Sequence, residues 1–336
     1  MVDATFNAES SLYVLIRWVQ YLGLLLLIGA VVFDQLLLRS RACRALATVH
    51  VRFRDDAKRR AQRLESVGLV VLALSMALRL VAQAYSMNGG EGPLAEAAPM
   101  IPMLLQGSSW GRAWWLQLGA TVLAAIGLVG AVHAAPTDGT TGIKRWLVRV
   151  RIAGAPVAAV ATLLLAFTPA FASHAKSSPR FATAAVIADG LHVIGAGGWL
   201  GTLAVIIAAG FPAAFALGAM RGEAVAALVR AFSPIALCFA AVIAITGTFA
   251  AWLHLQSFDA LWKSPYGHVL LWKLATLSLV AGTGAYNWKR VVPTLGTDHA
   301  AARVNRSARV ELVIALVVVL ITAILVATPT ARMATM

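Results

Sequence analysis

Apolar residues fall in eight runs of about 20 residues or more, the length needed to cross the hydrocarbon core of a bilayer as a helix. They cover approximately 12–38, 64–86, 112–134, 150–172, 182–210, 230–255, 268–288 and 309–328. Backbone polar groups have no water to bond in lipid, so such runs close their hydrogen bonds internally as helices. The pattern predicts an all-α integral membrane protein with eight transmembrane helices. The polar stretches between the runs are each shorter than the roughly 50 residues a small soluble domain needs. Asp3 and Glu9 precede the first run, where a cleavable leader would be basic, so this run is read as a span.

Composition agrees: of 336 residues 60% are hydrophobic and 12% charged, yet the net charge is +14. The distribution of that charge matters more than its size. The connection between the first two runs carries Arg39, Arg41, Arg44, Arg52, Arg54, Lys58, Arg59, Arg60 and Arg63. Lys144, Arg145 and Arg149 lie between the third and fourth, with Arg151 at the edge, and Arg221 and Arg230 belong to the connection of the fifth and sixth. Lys289, Arg290, Arg303, Arg306 and Arg309 lie between the seventh and eighth. The alternate loops are poor in cations, and the one from Met87 to Gly111 carries Glu91 and Glu96. Cytoplasmic loops retain Lys and Arg, so both termini are expected outside, on the periplasmic side. The basic balance is then topology and contact with anionic membrane lipid, with no nucleic-acid partner. Cys43 and Cys238 form no metal-binding or disulfide pattern.

The two halves resemble each other. Ser108-Ser-Trp-Gly-Arg-Ala-Trp-Trp-Leu-Gln-Leu118 opens the third helix, and Ser264-Pro-Tyr-Gly-His-Val-Leu-Leu-Trp-Lys-Leu274 opens the seventh. Arg17, Gln20 and Gly29 can be laid over Asp189, His192 and Gly201. Four helices per half keep both copies in one orientation, which gives two parallel four-helix repeats. The expected division is an N-terminal half, 1–172, and a C-terminal half, 173–336. The second half, with Asp189 and His192 where the first has Arg17 and Gln20, is expected to carry the chemistry.

Ionisable residues inside spans are costly and mark functional sites. Asp189 and His192 are three residues apart, which places them on one face of a helix, about 4.5 Å apart along its axis. His174, His254 and His268 lie near the same outer level; His50, His133 and His299 lie toward the cytoplasm. Imidazoles suit copper, zinc, iron and nickel, and thioethers add a preference for Cu(I). The outer loop offers Met100 and Met103. The candidate metal ligands are therefore His192, His174, His268, Met100 and Met103. Packing alone also accounts for the two methionines, and His254 reads more simply as an interfacial residue beside Trp252. Asp189, Lys273, Arg17, Arg79 and Trp199 are candidate supporting or pathway residues. The three cations either neutralise Asp189 or one another, or reach back to the surface. Near the inner end, Asp34 and Glu311 read as partners of Arg39 and Arg309, with an exit or proton path as the alternative.

The second half also resembles the CopD (PcoD) copper-resistance membrane proteins. The resembling pieces are Ser173-His-Ala175, Asp189-Gly-Leu-His192 and Gly198-Trp-Leu-Gly201. They continue with Ser264-Pro-Tyr-Gly267, Leu271-Trp-Lys-Leu274, Tyr286-Asn287, Arg309-Val-Glu311 and Ala327-Thr-Pro-Thr330. In the first half Trp110-Gly-Arg112 and Trp114-Trp-Leu116 fit as well. Where the family has Gly-His-Ala and Thr-Pro-Tyr-Gly, this chain has Ser-His-Ala and Ser-Pro-Tyr-Gly. His268 stands where the family often has arginine, which argues against a shared ligand there. The resemblance implies an eight-helix inner-membrane protein that handles copper, usually by uptake from periplasm to cytoplasm. It also implies a separate periplasmic CopC-like copper donor.

The expected function is therefore copper transport, with copper as the bound ion and no enzymatic activity; no nucleotide-binding Gly-x-x-x-x-Gly-Lys-Ser/Thr loop is present. Two rivals stand beside it. Histidines facing one another across helices could hold haem in an electron carrier. A copper chaperone or assembly factor would hold the ion without moving it.

Overall fold

The computed structural model describes residues 5–133, 142–171, 181–255, 257–287, 289 and 295–330. Among them every regular element is helical, and eight helices are long and apolar enough to cross a membrane. In chain order the helices are α1 (Ser11–Val32), α2 (Arg41–Val49), α3 (Val51–Met87), α4 (Met100–Gly107) and α5 (Ser109–His133). They continue with α6 (Gly142–Leu165), α7 (Thr168–Phe171), α8 (Ala182–Ala196), α9 (Thr202–Val205) and α10 (Phe211–Phe215). The last are α11 (Arg221–Leu255), α12 (Phe258–Lys263), α13 (Pro265–Tyr286) and α14 (Asp298–Ala327). Two π-helical turns, Gly197–Gly201 and Ile206–Gly210, join α8, α9 and α10 into one continuous span from Ala182 to Phe215.

Several spans are longer than the apolar pattern predicts. The expected second helix, 64–86, starts at Val51, so most of the basic connection is helix. The sixth starts at Arg221 and the eighth at Asp298, where 230 and 309 were expected. Arg, Lys, Ala and Glu are good helix formers, so the helix continues past the end of the apolar run. Asp56 pairs with Arg60 at 2.8 Å, one turn along α3. Hydropathy marks where a helix leaves lipid, and helix propensity decides where it stops.

The spans are set at sharp corners that share one construction. Ser264 caps α13 by accepting from the Gly267 amide at 3.0 Å, while its hydroxyl donates to the Ala260 carbonyl at 2.6 Å. Ser108 accepts from the Gly111 amide at 2.8 Å and donates to the Leu104 carbonyl at 2.7 Å. A Cβ on Gly267 would overlap the Ala260 carbonyl, and one on Gly111 would lie 2.7 Å from the Leu105 carbonyl. Serine caps the helix and glycine lets the short preceding helix, α12 or α4, lie against it. We expect Ser108→Ala and Ser264→Ala each to cost about 1 kcal/mol, the usual value of such a cap, seen as a modest fall in melting temperature.

Helix α1 lies at the centre. It packs against α3 and α6 on one side and against the α8–α9 span and α14 on the other. One apolar cluster joins Phe33, Leu37 and Phe53 of the first half to Ile206, Phe211, Leu228 and Ala301 of the second. The tightest approach is at Gly29 and Gly201, the two glycines aligned between the halves. A Cβ on Gly29 would overlap the Gly201 carbonyl group, and one on Gly201 would overlap the Leu25 carbonyl. Thr202 Oγ1 reaches the Gly29 carbonyl at 3.5 Å across the same crossing.

Candidate metal site

His192 is half-buried on α8, and its ring is fixed by α11. Nδ1 lies 2.9 Å from Thr246 Oγ1. That hydroxyl carries one hydrogen, which it donates to the Val242 carbonyl at 2.6 Å. Its oxygen therefore accepts from the imidazole, which assigns the proton to Nδ1. The Ile243 carbonyl lies near the same ring. Nε2 has no hydrogen-bond partner among the described residues and keeps its lone pair. Gly247 leaves room for the ring: a Cβ there would stand 3.3 Å from Cε1. A histidine oriented through one nitrogen and open at the other is the form that binds a metal.

Asp189, one turn earlier on α8, is half-buried and faces Lys273 of α13. The two are in electrostatic range but form no direct ion pair among the described residues. Lys273 also acts on His192, and the hydroxyls of Tyr21 and Tyr266 lie in the field of Asp189. A carboxylate, an ammonium and an open imidazole nitrogen thus converge without touching. The ammonium opposes a cation at Nε2, and Asp189 offsets that opposition. Asp189 makes no hydrogen bond to His192, so the residue that orients the ring is Thr246.

The other expected ligands are arranged differently. His174 lies outside the described residues. His268 is exposed and its Nε2 donates to the Trp262 carbonyl at 2.6 Å, which takes that nitrogen out of use as a ligand. Met100 is half-buried and Met103 is 63% exposed, both on short α4. No group of three or more His, Cys, Asp or Glu converges among the described residues. Trp199 packs with Leu25, Leu200, Ala315 and Val319 between α1 and α14. His254 lies against Tyr266, with ring centroids 5.7 Å apart and planes tilted by 56°. Asp34 pairs with Lys58 at 3.7 Å, in place of the expected Arg39. Glu311 is buried with Asn287 beside it, in place of Arg309. In both cases the helix brings the partner from a neighbouring element, which spacing along the chain does not reveal.

Arg17 and Arg79 belong to another group. Arg17 is only 6% exposed; Nη1 donates to the Ala323 carbonyl at 3.3 Å and the guanidinium lies 5.0 Å over the Tyr13 ring. Arg79 Nη1 donates to Gln20 Oε1 at 3.0 Å, and Gln20 Nε2 donates to Gln117 Oε1 at 3.2 Å. Neither arginine pairs with Asp189 or any other carboxylate among the described residues. Thr246 was not singled out from the sequence, where Tyr266, Gln20 and Gln117 stand only within the motifs and the alignment of the halves. Thr246 is one of many hydroxyls in apolar helices, most of which simply bond the carbonyl four residues back.

These features define a multi-pass helical membrane protein with an ionisable site buried in its bundle. The chain belongs to the copper resistance protein D family. The model for the copper resistance protein D-like N-terminal domain matches residues 5–179, and that for copper resistance protein D matches residues 226–325. Copper transport protein CutJ of Bacillus subtilis (strain 168) is 24% identical over 317 residues. The match covers 93% of this chain and 52% of CutJ, so the chain spans about half the length of that relative. No solved structure matches the chain.

Proposed function

We propose that this chain is a copper transporter of the bacterial inner membrane that takes copper from the periplasmic side and passes it to the cytoplasm. The single observation that supports this most is His192, held by Thr246 with Nε2 open inside a spanning helix. In this reading both termini face the periplasm, and a periplasmic CopC-like donor supplies the ion. Met100, Met103 and His174 form the outer approach. His192 takes the ion through Nε2 while Asp189 offsets its charge and that of Lys273. The ion then moves inward between the packed glycine-bearing helices, which must separate to let it pass. The protein performs no bond-making chemistry on a substrate.

The test is copper flux into proteoliposomes that enclose a copper-sensitive fluorophore. We expect entry well above that of protein-free vesicles. Tight binding of about one copper per chain without flux would replace transport by a holding role. Thr246→Val probes the orientation of the ring. Valine keeps the volume but leaves Nδ1–H without its acceptor on Thr246. Loss of such a support costs about 10–100-fold in metal affinity, and a copper titration should show a loss in that range. Unchanged affinity would remove Thr246 from the site.

A further inference from the structure

The first half holds a counterpart of the metal site with the opposite charge preference. In the alignment of the halves, Arg17 stands for Asp189, Gln20 for His192, Trp110 for Tyr266 and Gln117 for Lys273. The structure brings Arg17, Gln20 and Gln117 together with Arg79, whose guanidinium lies 5.6 Å over the Trp110 ring. This group has a surplus of donors. Arg17 Nε, Arg79 Nε and Trp110 Nε1 are buried with no acceptor among the described residues. It also has a surplus of charge, because two guanidiniums in each other's field lack a carboxylate among the described residues. The Ala323 carbonyl near the C-terminal end of α14 offers Arg17 the helix dipole, equivalent to about half a negative charge. Most of this positive charge, on buried Arg17 and half-buried Arg79, is left unmet where an unpaired charge is costly. Water can satisfy the N–H groups but cannot balance the charge.

We propose that Arg17 and Arg79 bind an oxyanion of the phosphate class. Planar guanidinium forks match phosphate oxygens, and the depth suits one. Arg17 is six residues into α1 and Arg79 eight residues from the end of α3, about 9 and 12 Å at 1.5 Å per residue. The anion is either the headgroup of an acidic phospholipid or free phosphate from the outer solution. The site stands independently of copper at His192.

The experiment measures melting temperature of the full chain under three conditions at constant ionic strength. These are nanodiscs of phosphatidylcholine, the same with phosphatidylglycerol, and phosphatidylcholine nanodiscs with inorganic phosphate. Wild type should gain about 5 °C or more where the anion saturates the site. A gain with phosphatidylglycerol alone identifies the lipid headgroup; a gain with phosphate identifies the free ion. Arg79→Gln should reverse sign: more stable than wild type in phosphatidylcholine, where a half-buried, unpaired charge has been removed, and less stable with the anion. Lys263→Gln, at an exposed lysine, should keep the full anion effect. Equal wild-type melting in all three conditions overturns the proposal, and that comparison needs no variant to fold. An anion effect that persists in Arg79→Gln also overturns it.

Discussion

Purified His192→Ala should contain no copper above background, where wild type should hold close to one ion per chain. Removal of the ligand must exceed the 10–100-fold cost of losing a supporting partner, so the affinity loss should be greater than about 100-fold. Flux into proteoliposomes should fall to the protein-free level. The fold should survive, because the ring makes few hydrogen bonds and is only half-buried. Loss of those bonds costs about 1–3 kcal/mol. His192→Asn separates the two roles: its amide can still donate to Thr246 Oγ1, but it offers no imidazole nitrogen to copper. It should melt near wild type and bind as poorly as alanine. Equal copper in wild type and both variants would remove His192 as a ligand and point to the outer methionines and His174. An optical spectrum of the same samples addresses the haem reading. A Soret band near 410–430 nm in wild type, lost with His192, would replace the transporter by an electron carrier.

Gly201→Ala should be the most damaging single-methyl change in the protein. The added Cβ would overlap the Leu25 carbonyl and stand 3.2 Å from the Gly29 Cα. Those neighbours are backbone, so no rotamer change relieves the clash. The α1 helix and the α8–α9 span must separate or shift along each other. Overpacking of ordinary side chains costs about 1–3 kcal/mol and occasionally more; a clash with backbone belongs at or above the upper end. Because α1 links both halves, the loss should appear as a cooperative fall in melting temperature or as failure to accumulate folded protein. Copper binding would fall with it, although His192 is intact. The two variants are thus distinguishable: His192→Asn is folded and empty, whereas Gly201→Ala is unfolded and empty. A Gly201→Ala protein that melts like wild type would show that the crossing is looser than its geometry indicates.

Much of the membrane architecture was legible because lipid reduces the question to a few strong rules. Eight runs became eight helices, since a backbone in hydrocarbon has no other way to close its bonds. The corners at Ser108–Gly111 and Ser264–Gly267 were also visible, because a serine cap and a close-approach glycine act within four residues. The helix starts at Val51, Arg221 and Asp298 were not, because past the interface charge no longer ends a helix.

The sequence by itself determined the class, the eight spans, the family resemblance and the Asp189–His192 pair on one helical face. Each rests on local periodicity or on short-range order along the chain. Only the tertiary structure decided what those residues do to one another. It selected Thr246 as the partner of His192 and set Lys273 opposite Asp189. It gave Asp34 to Lys58, set Asn287 beside Glu311, and left Arg17 and Arg79 without a carboxylate among the described residues. The reason is physical: periodicity fixes which face of a helix a side chain occupies, but its partner depends on which helix packs against that face. That packing was set by contacts such as Gly29 against Gly201, 172 positions apart, where the absence of two side chains brings backbones together.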